Sequence, residues 1–162
     1  MPNSVTINPR IVEALYCEAM LLADEVRHAF APETETDGRS GARSAGRSVN
    51  SGPVRLALSS EGLRTTTRMM HAIAWLLNHR AYFMGEIDQY QLRRNGRLSP
   101  DLRHSEASGL AALKPEIVEL VEATQRFYDR LLRLDGKWRL YGDDRPSAIE
   151  RLRERLERRL AS

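Results

Sequence analysis

The side chains of this 162-residue chain that could do covalent or metal chemistry are few and scattered: one cysteine, Cys17, four histidines, and the Asp143-Asp144 pair. His71 and His79 stand eight residues apart, about 80° around a helix, with no carboxylate or thiol between them. Cys17 and His28 fall in one amphipathic stretch, where a small apolar residue and a histidine beside the negative helix end have structural roles. Asp143 and Asp144 lack the further carboxylates of a calcium loop. No HExxH, GxSxG or glycine fingerprint after a strand occurs, and the glycines between 38 and 52 lack the Lys-Ser/Thr of a phosphate loop. The expectation is a protein without catalytic residues, metal or cofactor. A single cysteine also excludes an intramolecular disulfide framework.

The chemistry that remains is recognition. From Ser59 to Met84 the chain has no proline and one glycine, Gly62, so it can run as one helix of about 39 Å. One arc of that helix reads Glu61, Arg64, Arg68, His71, Trp75, Asn78 and Tyr82. Arginines beside Trp and Tyr on a polar face have the composition of a protein-contact surface. Arg64, Arg68, His71, Trp75 and Tyr82 are therefore the candidate protein-binding residues, on a patch expected to be continuous and about 25 Å long.

The rest of this helix is apolar. One stripe runs Leu58, Gly62, Thr65, Met69, Ala72, Leu76 and Phe83, and a second Leu63, Thr67, Met70, Ala74, Leu77, Ala81 and Met84. An arc this wide exceeds what a surface helix needs. It calls for a bundle on one side and, on the other, more bundle or a second copy of the chain. A homodimer is the expectation.

The elements that must position this helix are also helical. Asn8-Pro9 starts a helix to about residue 31 with Val12, Leu15, Ala19, Leu22, Val26 and Phe30 at helical spacing. Residues 33–52, acidic and then repeating Arg-Ser between Gly and Ala, have too little apolar surface to order and are expected to be a flexible loop. Gly85 should stop the central helix. A two-turn helix closed by a left-handed Asn95-Gly96 turn follows, then a mixed connector expected to cross one end of the bundle. Lys114-Pro115-Glu116 opens the last long helix, which Asp135-Gly136 should close. Residues 146–160 read as a charged amphipathic helix with Ile149, Leu152, Leu156 and Leu160 on one side. The fold class is all-α: one domain over 1–162, an antiparallel three-helix bundle with core helices at 9–31, 54–84 and 114–135, short extra helices and the charged C-terminal helix.

Charge adds little. The net charge is +3 against 25 basic and 22 acidic residues, and 23 of the basic residues are arginine. No apolar run approaches the ~20 residues that cross a bilayer, and there is no apolar N-terminal leader, so a cytoplasmic protein away from membranes is expected.

The stretch SSEGLRTTTRMMHAIAWLLNHRAYFMGEI resembles the RcdA family, the regulators of CtrA degradation. Leu63, Arg64, Thr66, Thr67, Arg68, Met70, Trp75, Leu76, Leu77, Arg80, Ala81, Gly85 and Glu86 carry the likeness. YCEAMLLADEVRHAF in the first helix is similar to that family's opening helix. The resemblance implies a homodimeric three-helix bundle. It further implies a non-enzymatic adaptor that brings clients such as CtrA-like regulators to the ClpX subunit of the ClpXP protease, with a response-regulator primer, in cell-cycle control. The alternative is a nucleic-acid-associated protein using Arg64, Arg68, Arg93, Arg94, Arg97 and the tail arginines on phosphates. Interleaved acids make nucleic acid the lesser expectation.

Overall fold

The structure is a computed structural model that describes residues 7–31, 51–142 and 155–159. The Arg-Ser-Gly loop expected at 33–52 falls almost wholly outside these residues, as does most of the C-terminal segment, of which 155–159 is helical.

Five α-helices are described: α1 (Pro9–Ala29), α2 (Ser51–Phe83), α3 (Gln89–Asn95), α4 (Ala107–Leu110) and α5 (Pro115–Gly142), with a 3-10 turn at Pro100–Arg103. Their ends follow from local chemistry. The Asn8 side chain accepts from the Ile11 N–H at 3.0 Å, with Pro9 in the first turn. Gly85 has φ +77°, and the Glu86 and Gly85 N–H groups return to the carbonyls of Ala81 and Tyr82, a Schellman stop. Asp88 and Gln91 form a reciprocal capping box at the start of α3. Gly96 closes α3 with φ −97°, not the left-handed turn expected. Glycine is needed there for space, since a Cβ would lie 2.7 Å from the Leu92 carbonyl oxygen.

The three long helices α1, α2 and α5 pack as the core of an all-α fold. Val12, Leu15, Ala19 and Val26 of α1, Met69, Ala72 and Leu76 of α2, and Val121, Phe127 and Leu131 of α5 are buried. Burying a side chain of this size contributes about 1.5–3 kcal/mol. Phe30 of α1 lies against Gly62 of α2, and Glu13 of α1 pairs with Arg80 of α2, so these helices are antiparallel.

The antiparallel expectation holds for α1 against both neighbours and is corrected for α2 against α5. Arg68 meets Thr124, Trp75 meets Asp135 and Tyr82 meets Trp138, so α2 and α5 run in the same direction. The connector makes this possible by travelling back along the bundle rather than across one end. Asn95 bonds Asn78, Leu102 bonds Arg68, and Ser105 bonds Glu61. The last helix also passes its expected stop at Asp135-Gly136. There the Asp135 carboxylate holds Trp75 and Arg139, and Trp138 packs on the core, which offsets the roughly 1 kcal/mol that a helical glycine costs.

Candidate functional site

The central helix presents its faces differently from the sequence expectation. Of the five candidate residues, Arg68 is 0% and Trp75 2% exposed, Arg64 and Tyr82 are half-buried, and only His71 is fully outside. No continuous basic-aromatic patch forms. The outward face is instead the second apolar stripe.

Arg68 is held because three acceptors come to it from distant parts of the chain. Its Nε donates to the Leu102 carbonyl oxygen at 2.7 Å, Nη1 to Thr124 Oγ1 at 2.9 Å and Nη2 to Ser105 Oγ at 3.0 Å. Glu61, one helical face along, is also buried and accepts from Thr65 Oγ1 at 3.0 Å and Ser105 Oγ at 2.7 Å. Gln125 Nε2 adds a bond to Ser105 Oγ. Burial lowers the Arg68 pKa from its usual value, and the Glu61 charge opposes that shift. The result is a polar layer that fastens the returning connector to α2 and α5.

Trp75 belongs to a second internal cluster. Its Nε1 donates to Asp135 Oδ1 at 3.0 Å, while Oδ2 accepts from Arg139 Nε at 3.0 Å. The His79 ring lies 3.8 Å from the Trp75 ring between centroids, and its Nδ1 faces the Trp75 carbonyl oxygen at 2.9 Å. That contact places the proton on Nδ1 and leaves Nε2 as a bare, buried lone pair without a partner. Burial pushes the His79 pKa down from 6.5, against the opposing pull of the Trp75 carbonyl and Asp135. Trp138 stands edge-on to His79 and to Tyr82. Among the described residues both clusters fasten elements: the first ties the connector to α2 and α5, the second ties α2 to the far end of α5. Among the described residues no group of three His, Cys, Asp or Glu side chains could hold a metal ion.

Two outer features stand out, the first being the second apolar stripe of the sequence and the other one that sequence reasoning did not single out. Leu56, Leu63, Met70 and Leu77 of α2, and Met84 just past its end, are 72, 72, 65, 44 and 65% exposed and recur every seven residues. Four residues beyond each of the first four lies a small one: Ser60, Thr67, Ala74 and Ala81. The seven-residue spacing was legible; which stripe faces water was not, because the groups outside α2 that hold Glu61 and Arg68 inside lie 34 or more residues on, the nearest being Leu102 for Arg68. The second feature is a shallow groove of about 530 Å³ where α4 meets the start of α5. Leu110, Leu113, Pro115 and Val118 give it an apolar floor, and Glu119 and Glu122 an acidic rim.

Arg64 donates to Glu106 at 3.3 Å, so with Arg68 buried two of the arginines expected to read phosphates are engaged within the chain. No described helix is long and apolar enough to cross a membrane. No curated protein and no solved structure matches the chain. A family model described as Protein of unknown function (DUF1465) matches residues 4–160. That match spans nearly the whole chain, which therefore belongs to the DUF1465 family.

Proposed function

We propose that this protein is a non-catalytic adaptor, a homodimer that holds client proteins beside the ClpXP protease. An adaptor must bind at least two partners at once, and it accelerates a reaction by raising effective concentration rather than by chemistry. The observation that carries the reading is the presence of two separate apolar surfaces, the α2 column and the α4–α5 groove, which share no residue. Exposed apolar surface of this extent is the physical mark of protein contact. The choice of protease and of CtrA-like clients rests on the sequence resemblance carried by residues 59–87. In this reading the α2 column serves self-association and the groove takes the client, whose docking segment would carry apolar anchors flanked by basic residues that suit Glu119 and Glu122.

The test is degradation of a CtrA-type response regulator by purified ClpXP and its response-regulator primer, with and without this chain. The chain should accelerate degradation, and Val118→Asp, at the half-buried groove floor, should remove the acceleration with the helical content unchanged. No acceleration for any of a panel of clients captured by the chain would defeat the reading. Acceleration that survives Val118→Asp would place the client elsewhere.

A further inference from the structure

We propose that the exposed α2 column is one half of an antiparallel, two-fold helix seam whose other half is the same column of a second copy. This rests on the homodimer reading above and gives it a surface, an orientation and a register. The five large residues span about 42 Å along one helix. All five stand 44–72% exposed, an apolar strip of the kind that marks an interaction site.

The occupant is a second copy because the strip complements itself. It is two columns side by side, a large one at every seventh residue and a small one four residues further on. Parallel pairing would alternate layers of two large residues with layers of two small ones, so the helices could not keep one separation. Antiparallel pairing puts one large and one small residue in every layer. With the two-fold axis between Arg68 and Met69, Leu56 meets Ala81 of the second copy, and Leu63 meets Ala74. Met70 then meets Thr67 and Leu77 meets Ser60, each against the second copy. One register satisfies all of these layers, and Met84 falls opposite Pro53 at each end. Small residues in every layer permit an interaxial distance near the lower end of the ~8–10 Å range.

Charge is consistent with this occupant. The residues flanking the columns include no acid, and the flanking arginines Arg64 and Arg80 are each paired within the chain, to Glu106 and Glu13. The antiparallel register sets Arg80 across from Ala57 of the second copy, so no like charges are forced together.

The full chain carrying Cys17→Ser, which removes its one cysteine, is the background for the test. Met70→Cys should cross-link to its own copy under mild oxidation, because this position lies beside the axis. Leu56→Cys alone should not, since antiparallel copies place these positions more than about 35 Å apart. Leu56→Cys combined with Ala81→Cys should cross-link. Met70→Asp should weaken dimerisation at least 100-fold by sedimentation while leaving the circular dichroism unchanged. A clean monomer at tens of micromolar for the unaltered chain would overturn the dimer itself. A dimer in which Leu56→Cys alone cross-links would overturn the orientation, and a dimer indifferent to Met70→Asp would overturn the surface. None of these measurements involves a client or protease, so a failed seam leaves the adaptor reading to its own assay.

Discussion

Arg68 and Trp75 look alike in the sequence, as polar or amphipathic residues of the kind found at binding surfaces, and both prove to be internal fasteners. Removing either should therefore act on stability. Arg68→Ala strands Ser105, Thr124 and the Leu102 carbonyl without their donor, a loss of about 3–5 kcal/mol for a broken buried charge network. Trp75→Ala empties a large core site and unpairs Asp135 from one donor, again about 3–5 kcal/mol. At about 2–4 °C per kcal/mol for a chain of this size, thermal melts should fall by roughly 6–20 °C in each case. A variant that melts like the parent would contradict the burial described. His79 carries a pH prediction. Its pKa is lowered in the folded state, so the neutral ring is favoured by folding. That contribution is complete above the unfolded value of 6.5 and is lost as pH falls below it toward the folded pKa. Urea midpoints should decline between pH 7 and 5, and His79→Gln should flatten that part of the profile. An unchanged slope in the variant would assign the acid sensitivity to other groups.

At the scale of elements, some start and stop signals were legible, while those at Asn95-Gly96 and Asp135-Gly136 were not. Asn8-Pro9, Gly85 and Lys114-Pro115 act locally, through orphan N–H groups, a left-handed residue and a fixed proline φ, so sequence alone locates them. The face of α2 was not legible. Two apolar stripes and one polar arc are present, and which of them turns inward depends on partners supplied by residues 99–139. The polar arc won because it finds its acceptors there, whereas Leu63 and Met70 are left exposed by the described residues. The closeness of α1 to α2 can be tested at Gly62. A Cβ there would sit 2.8 Å from Phe30 Cδ1, so Gly62→Ala must displace the Phe30 ring or the end of α1. A loss of about 1–3 kcal/mol, the usual cost of overpacking, is expected in denaturant unfolding. Recovery of stability in a Gly62→Ala, Phe30→Leu double variant would identify the ring as the obstacle.

For the molecule as a whole, the class and the three long helices were readable, and their relative direction was not. A connector of some thirty residues between α2 and α5 admits either sense, and only the contacts of Leu102 and Ser105 along the flank of α2 decide it. Self-association makes a separate prediction at this scale. If folded copies associate and unfolded ones do not, the melting temperature must rise with protein concentration by mass action. A hundredfold change in concentration should move it by several degrees, and Met70→Asp should remove the dependence. A melting temperature independent of concentration in the parent chain would argue for folding as a monomer.

The parallel run of α2 and α5 has a consequence for how the protein is made. Trp75 and its partner Asp135 are 60 residues apart in the chain, and Arg68 and Thr124 are 56. At about 5–20 residues per second, a ribosome needs roughly 3–12 s to supply the second member of the Trp75 pair after the first. During that interval the α1–α2 hairpin can close at one flank, while the inward polar arc and the outward leucine column of α2 are both open to solvent. The nascent chain thus exposes the column proposed to pair with a second copy before it holds the residues that lock its fold. Two neighbouring ribosomes on one message bring such hairpins together at high local concentration, so pairing of the α2 columns can precede completion of either bundle.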